Sequence, residues 1–326
     1  MTFPAFSLRQ WARDGRLYAI LSAAGFSLKA IFVKLAYGAA PVDALTLLAL
    51  RMGIALPLFG WLVWMARGAA TAATARLDGK DALRILLLGT VGYYLSSLFD
   101  FYGLQTISSG LERLILYLYP TLVLVFQVLW TRRLPAARTV QAMAICYAGL
   151  GIGFVHDLAQ AGHGRAIWVG AAWVFASAVT YALYYLGTGA MIKRLGSMRL
   201  AGLAGGASAL LVLAHFVVAG TPALLWTLPA SVWWNAGLMA VLSTVLPVYW
   251  MALAIQRMGA AQAAAIGSLG PVLTMLASWL VLDEPMSLFQ AGGLALVMVG
   301  VARLKPRPAP DAAQAAEAAP RRKLFA

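Results

Sequence analysis

Six charged residues lie at least three residues inside long apolar stretches of the sequence, and they are the residues best placed to do chemistry there. They are Lys29, Lys34, Arg51, Asp100, Glu112 and Arg113. A charge inside a bilayer costs several kcal/mol unless it is paired or faces a watery cavity. Because the six formal charges sum to +2, the sequence predicts a cavity that favours a solute with a carboxylate or another anionic group.

The three cations of the first two apolar stretches are candidate solute-binding residues. Lys29 lies deepest, near the middle of its stretch, where a lysine cannot easily extend to the membrane surface. We therefore interpret Lys29 as functional. Lys34 and Arg51 fit a binding role and a structural role equally well.

Asp100, Glu112 and Arg113 are candidates for ion pairing or proton coupling. Both carboxylates lie about four residues from an outer span end, so anchoring at the membrane surface is an equally good interpretation. Adjacent helix residues point about 100° apart, which disfavours a pair between Glu112 and Arg113. The alternatives are a pair between Arg113 and Asp100, or a pair between Glu112 and either Lys34 or Arg51.

The second half of the chain contains no charged residue in the interior of its apolar stretches, since Arg303 lies next to the end of the last one, but it is rich in aromatic residues. Tyr184, Tyr185 and Trp250 are candidates for an apolar wall that faces the charged residues, which would suit an amphipathic solute. The alternative interpretation is ordinary helix packing or an interfacial aromatic belt.

Composition defines the elements that must hold these residues. The chain has 326 residues, of which 62% are hydrophobic and 11% charged, and its mean hydropathy is +0.80. A soluble domain is about a quarter charged, so we expect an all-α integral membrane protein. Ten apolar stretches approach the roughly 20 residues that a spanning helix needs: Leu17–Gly38, Val42–Met65, Ile85–Leu104, Ser109–Trp130, Val140–Val155, Ala166–Gly187, Leu200–Gly220, Val232–Ile255, Ala260–Leu282 and Ser287–Leu304.

The basic residues predict the orientation of these spans. With the N-terminus in the cytoplasm, 20 of the 25 Lys and Arg residues fall in cytoplasmic segments and only Arg165 falls outside. This asymmetry favours cytoplasmic N- and C-termini and a multi-pass protein of the inner, cytoplasmic membrane. It also explains the net charge of +14 without a nucleic-acid partner.

The two halves of the chain form an internal repeat. A shift of 151 residues aligns Pro120 with Pro271 and Gly149 with Gly300. Each proline lies within a span, where it removes a backbone donor and bends the helix; both are candidate hinges. Each half contains five spans, an odd number, so the second half is expected to be inverted relative to the first.

These features resemble the drug/metabolite transporter superfamily, in particular its EamA-type exporters. The resemblance is carried by FVKLAY around Lys34, LALRM around Arg51, the stretch Ser108–Phe126 and its partner Ala260–Pro285. It implies two five-helix repeats, here 17–155 and 166–304, between a cytoplasmic segment 1–16 and a disordered tail 305–326. The family often has an acidic residue after both the fourth and the ninth span; this sequence has Glu284 after the ninth but Arg133 after the fourth.

The sequence and the resemblance together favour a secondary transporter, an exporter of a small metabolite or amino-acid-like solute that works by alternating access. No G-x-x-x-x-G-K-[ST] motif is present, so ATP is not expected to drive it directly. Proton coupling through Asp100 or Glu112, exchange and facilitated diffusion all stay open. A membrane-embedded enzyme and a non-transporting scaffold or sensor are the alternatives.

No cofactor or metal is expected, because Cys146 is the only cysteine and the three histidines are widely separated. The partners expected are a small-molecule substrate and the lipid bilayer. Two fused halves make a monomer sufficient, and a dimer is possible.

Overall fold

The computed structural model describes residues 15–67, 76–132, 137–160, 164–258, 266–267, 269–284 and 287–304. Fourteen α-helices account for most of these residues. They are α1 Arg16–Ser27, α2 Lys29–Ala39, α3 Ala44–Ala66, α4 Gly79–Gly89, α5 Ser96–Leu104, α6 Ser109–Leu116, α7 Tyr119–Thr131, α8 Ala137–Gln160, α9 Gly164–Leu195, α10 Ser197–Ala219, α11 Ala230–Ala240, α12 Leu246–Met258, α13 Gly270–Leu282 and α14 Leu288–Leu304. The predicted tail 305–326 and nearly all of segment 1–16 lie outside the described residues.

Seven helical segments in the described residues are long and apolar enough to cross a membrane. They are Arg16–Ala39, Ala44–Ala66, Gly79–Leu104, Ser109–Trp130, Gly164–Gly189, Ser197–Ala219 and Ala230–Ile255. Three shorter apolar helices, Val140–Gly153, Gly270–Leu282 and Leu288–Gly300, lie where the remaining spans were expected. Large apolar side chains such as Trp64, Trp130 and Trp234 point outwards and are exposed, as expected of a surface that faces lipid.

Local sequence explains where several helices begin. The carboxylate of Asp43 accepts a hydrogen bond from the backbone N–H of Thr46 at the start of α3 (2.9 Å). Asp78 and Asp81 form a reciprocal capping box at the start of α4, and Ser108 caps α6. These side chains satisfy backbone donors that have no partner inside the helix.

Two spans are interrupted at positions that the repeat relates. The fourth span breaks between α6 and α7 at Leu118, and α13 begins after Leu269, which has nearly the same backbone angles. Pro120 and Pro271 therefore lie in the first turn of a new helix, rather than inside a continuous one. Proline is well tolerated there because the first N–H groups of a helix have no intrahelical partner.

A second pair of backbone features repeats with the same spacing. The third and eighth spans each contain a short π-helical stretch, Thr90–Leu95 and Val241–Val245, and their first residues are 151 apart. Arg132 and Asp283, also 151 apart, end their helices in the left-handed conformation with φ of 53° and 51°. The repeat predicted from sequence is thus visible in the backbone.

The halves interlock rather than pack side by side. Helix α3 packs along α10 and α8 along α14, while α1 contacts α12 and α13 of the second half. Helix α9 in turn contacts α5, α6 and α7 of the first half. Close approach depends on small residues: a Cβ added to Gly149 or Gly293 would lie 2.5 Å from the other residue's carbonyl oxygen.

Candidate functional site

An interruption in the first span positions Lys29. Helix α1 ends at Ser27, and Lys29 is the first residue of α2. The break is tied to the second half, because the hydroxyl of Ser27 donates to the carbonyl of Gly270 (2.8 Å) and the hydroxyl of Thr274 donates to the carbonyl of Ser27 (3.2 Å). Lys29 consequently lies where the first span meets α13.

Lys29 belongs to a buried line of alternating charges. Its Nζ atom lies 2.6 Å from Oδ2 of Asp100 and 3.8 Å from Oε1 of Glu112. The opposite oxygen of Glu112, Oε2, lies 3.5 Å from Nε of Arg113. The side chains of Asp100 and Glu112 are 1% and 0% exposed, while Lys29 retains 15%. We call these four residues the charge line.

The observed pairs differ from those expected from sequence. Asp100 pairs with Lys29 rather than Arg113, and Glu112 contacts both Lys29 and Arg113. The flexible arginine side chain overcomes the 100° separation of adjacent helix positions. Both carboxylates are buried within the protein and face cations of the first half.

Arg51 is also buried, with 4% exposure, but its contacts are neutral. Its Nε atom donates to the hydroxyl of Thr244 (2.9 Å), and Nη1 donates to the hydroxyl of Ser97 (3.4 Å). The guanidinium lies 5.5 Å from the centre of the Phe101 ring. None of the ion pairs found among the described residues includes Arg51.

Glu284 is a functional candidate that the count of charges within spans missed. It follows α13, and its carboxylate accepts hydrogen bonds from the hydroxyl (2.6 Å) and the backbone N–H (3.2 Å) of Ser109. The hydroxyls of Ser109 and Ser278 are hydrogen bonded to each other. Glu284 is also the acidic residue whose charge acts on Lys34. The repeat could have drawn attention to Glu284, but not to its partners in the other half.

Tyr184 and Tyr185 lie in a cluster of tyrosines between the halves. The cluster also contains Tyr93, Tyr119 and Tyr181. The ring centre of Tyr119 lies 5.0 Å from the ring centres of both Tyr181 and Tyr185. The hydroxyls of Tyr93 and Tyr184 are 3.4 Å apart. Trp250, on α12, is partly buried and lies outside the ring contacts that define this tyrosine cluster in the described residues.

The described residues contain no group of three or more His, Cys, Asp or Glu side chains that could hold a metal ion. What they contain is a membrane-embedded set of charges beside hydroxyls and aromatic rings. Such groups can bind a polar solute, exchange a proton and change partners as helices move.

The apolar helices with an ionic interior define a polytopic membrane protein. Comparison with known proteins gives the family: the chain belongs to the EamA-like transporter family, whose sequence profile matches twice, at residues 14–154 and 168–304. This confirms the resemblance drawn from the motifs around Lys34 and Arg51. The protein is therefore a membrane transporter of this family with two repeats.

Relatives of known sequence agree with this assignment. The uncharacterized transporter YcbK of Bacillus subtilis (strain 168) is 31% identical over 304 residues, covering 89% of this chain and 93% of the relative. The uncharacterized transporter YvbV of the same organism is 28% identical over 224 residues, covering 64% of this chain and 70% of the relative.

A solved crystal structure shares the fold. It superposes with a TM-score of 0.59 at 19% identity, over 89% of this chain and 95% of the solved chain.

Proposed function

We propose that the protein is a secondary transporter that exports a small metabolite or amino-acid-like solute by alternating access. The observation that carries the proposal is the charge line of Lys29, Asp100, Glu112 and Arg113, buried at the break in the first span where that span meets the second half. Buried charges of this kind mark solute and ion pathways in membrane proteins.

The proposed topology is ten spans in two inverted repeats, 17–155 and 166–304, with both termini in the cytoplasm of an inner-membrane protein. The paired π-helices and the paired left-handed residues Arg132 and Asp283 support it. Inverted repeats provide two similar arrangements that open to opposite sides. One chain contains both halves, so the proposed unit is a monomer, and a dimer is compatible with it.

The proposed hinges are Pro120 and Pro271. Each lies in the first turn after a helix break, so its span can bend there without loss of an intrahelical hydrogen bond. Rotation about these breaks would move α7 and α13 relative to the segments that precede them.

The proposed binding region lies between the charged residues of the first half and the tyrosine cluster. Lys29, Lys34 and Arg51 provide the charged side, and Tyr184, Tyr185 and Trp250 the aromatic side. Asp100 and Glu112 share the ammonium of Lys29. A proton taken up by one carboxylate would leave Lys29 to the other, which gives a route to proton coupling.

Uptake into inverted membrane vesicles tests the proposal, since export from the cell becomes uptake in such vesicles. Labelled amino acids, organic acids and cationic dyes would be supplied with and without a proton gradient. We expect uptake of a carboxylate-containing solute by the wild type and its loss in Lys29→Ala, after normalisation to folded protein. Lys29→Arg, which keeps the charge, should retain part of the activity.

Lys80→Ala is the matched control, because Lys80 is an exposed lysine at the start of α4. It should transport like the wild type. The proposal fails if wild-type vesicles take up no solute above vesicles without the protein. Equal uptake by Lys29→Ala and Lys80→Ala would show that Lys29 of the charge line is not needed for transport.

A further inference from the structure

Among the described residues, Arg51 is the one fully buried cation, and it has no carboxylate within ion-pair distance. In the charge line, two carboxylates face two cations. Lys34, in turn, has the charge of Glu284. In the described part of the chain, the guanidinium of Arg51 is in contact only with the hydroxyls of Thr244 and Ser97 and the face of Phe101. Asp100, the carboxylate whose charge acts on Arg51 from further away, is already paired with Lys29. Among the described residues, the surplus positive charge of the site therefore lies at Arg51.

A buried guanidinium with neutral contacts alone is energetically unfavourable. Removing a charge from water is expensive, and neutral hydroxyls compensate for it less well than a carboxylate does. An arginine with a purely structural role would be expected to have a carboxylate within ion-pair distance. The second half supplies a hydroxyl instead, from Thr244.

The backbone around Arg51 gives an independent observation. Ser97 lies two residues after Leu95, the last residue of the first π-helix, and Thr244 lies within the second π-helix. The two π-helices are related by the repeat, so Arg51 contacts corresponding regions of both halves. π-Helical turns are frequent at functional sites because they rearrange the local hydrogen bonds of a helix.

We infer that Arg51 binds the carboxylate of a monoanionic solute. This inference rests on the proposed function and gives the chemical class of the substrate. One carboxylate neutralises the single surplus charge, whereas a phosphate, with nearly two charges, would leave net negative charge buried. The planar guanidinium also matches a carboxylate geometrically. On binding, the guanidinium of Arg51 would donate to the carboxylate oxygens of the solute instead of the hydroxyls of Thr244 and Ser97. Because these hydroxyls belong to different halves, binding would be coupled to both halves.

Pairs of solutes that differ only in the carboxylate test the inference. The probes are monoanionic acids with their neutral amides, namely lactate with lactamide, pyruvate with pyruvamide, and N-acetyl-L-leucine with N-acetyl-L-leucinamide, and the pair whose acid the wild type transports is used. We expect Arg51→Gln to lower the uptake ratio of acid to amide about tenfold or more. Arg51→Lys should give an intermediate ratio, because it keeps the charge without the planar fork.

Lys80→Gln is the matched control, since it removes an exposed lysine at the start of α4, outside the proposed binding region. It should keep the acid preference of the wild type. If Arg51→Gln does not accumulate as folded protein, Thr244→Val and Ser97→Ala provide the readout. Both alter the contacts of the guanidinium and should raise the KM for the acid but not for the amide.

The outcomes separate this inference from the proposed function. No uptake of any solute by the wild type contradicts the transport proposal itself. Transport with the same acid-to-amide ratio in the wild type and the Arg51 variants, or in the hydroxyl variants, contradicts only the role of Arg51. Preference for a solute without an anionic group also overturns the carboxylate assignment.

Discussion

Lys29 and Asp100 form an ion pair of 2.6 Å between the broken first span and the third span. The carboxylate is 1% exposed, so water does not compensate either charge effectively. The pair joins two spans of the first half. It lies close to Ser27, where α13 of the second half is hydrogen bonded to the first span. Breaking the ion pair between Lys29 and Asp100 would therefore alter the contact between the first and third spans.

Replacing Lys29 alone should destabilise the protein more than replacing the pair. Lys29→Ala leaves Asp100 as a buried carboxylate with reduced compensation, for which we expect a loss of about 3 kcal/mol. The double variant Lys29→Ala/Asp100→Ala should recover part of this loss. Thermal unfolding in detergent measures the effect, and additive losses in the double variant would show that the two residues do not stabilise each other.

Glu112→Gln should abolish the response of uptake to an imposed proton gradient. Glu112 is fully buried and lies between Lys29 and Arg113, so its charge state controls which partners the two cations have. The glutamine keeps the shape but exchanges no proton. Vesicle uptake at a fixed solute concentration, with a protonophore as control, measures the response. A gradient response equal to that of the wild type would contradict a role for Glu112 in coupling.

Cross-linking Ser109 to Ser278 should block transport reversibly. Their hydroxyls are in contact, so cysteines at both positions are close enough for a disulfide. The Ser109→Cys/Ser278→Cys variant would be made with Cys146→Ala, because Cys146 is the only native cysteine. Alternating access predicts that oxidation stops uptake and that reduction restores it. The two single-cysteine variants are controls, and full activity of the cross-linked protein would contradict separation at this contact.

Gly92→Ala should disrupt the first π-helix. An added Cβ would overlap the ring of Tyr184, for which we expect a loss of about 1–3 kcal/mol. Gly237→Ala is the matched control, because no atom lies within 4 Å of its added Cβ. Thermal unfolding compares the two variants. Equal stability of both would show that the tyrosine cluster moves away from Gly92 without penalty.

The sequence was sufficient for the fold class, the repeat and the family, because apolar length and a 151-residue spacing do not depend on tertiary contacts. It was also sufficient to select Lys29, Asp100, Glu112 and Arg113 as candidates. It could not give their partners, since pairing depends on how distant helices pack and how far side chains extend. The hydrogen bond between Ser109 and Glu284 could not be predicted for the same reason, because it joins residues 175 positions apart in the sequence.

The tyrosines show a similar division. Tyr184 and Tyr185 were recognised because they lie close together in one span. Tyr93 and Tyr119 were not, because they come from other helices and meet the first two only in the folded chain. Seven apolar helices are long enough to span a membrane, as the sequence predicts. The other three apolar helices are shorter, so the total of ten spans stays a prediction.

Counterflow into proteoliposomes tests the central claim, transport by the chain itself, most directly. Purified protein would be reconstituted, the liposomes loaded with an unlabelled carboxylate solute, and the labelled solute added outside. An alternating-access transporter predicts transient accumulation of label above equilibrium, which Arg51→Gln should diminish. Label that never exceeds the level in protein-free liposomes, across the panel of amino acids and organic acids, would contradict the account.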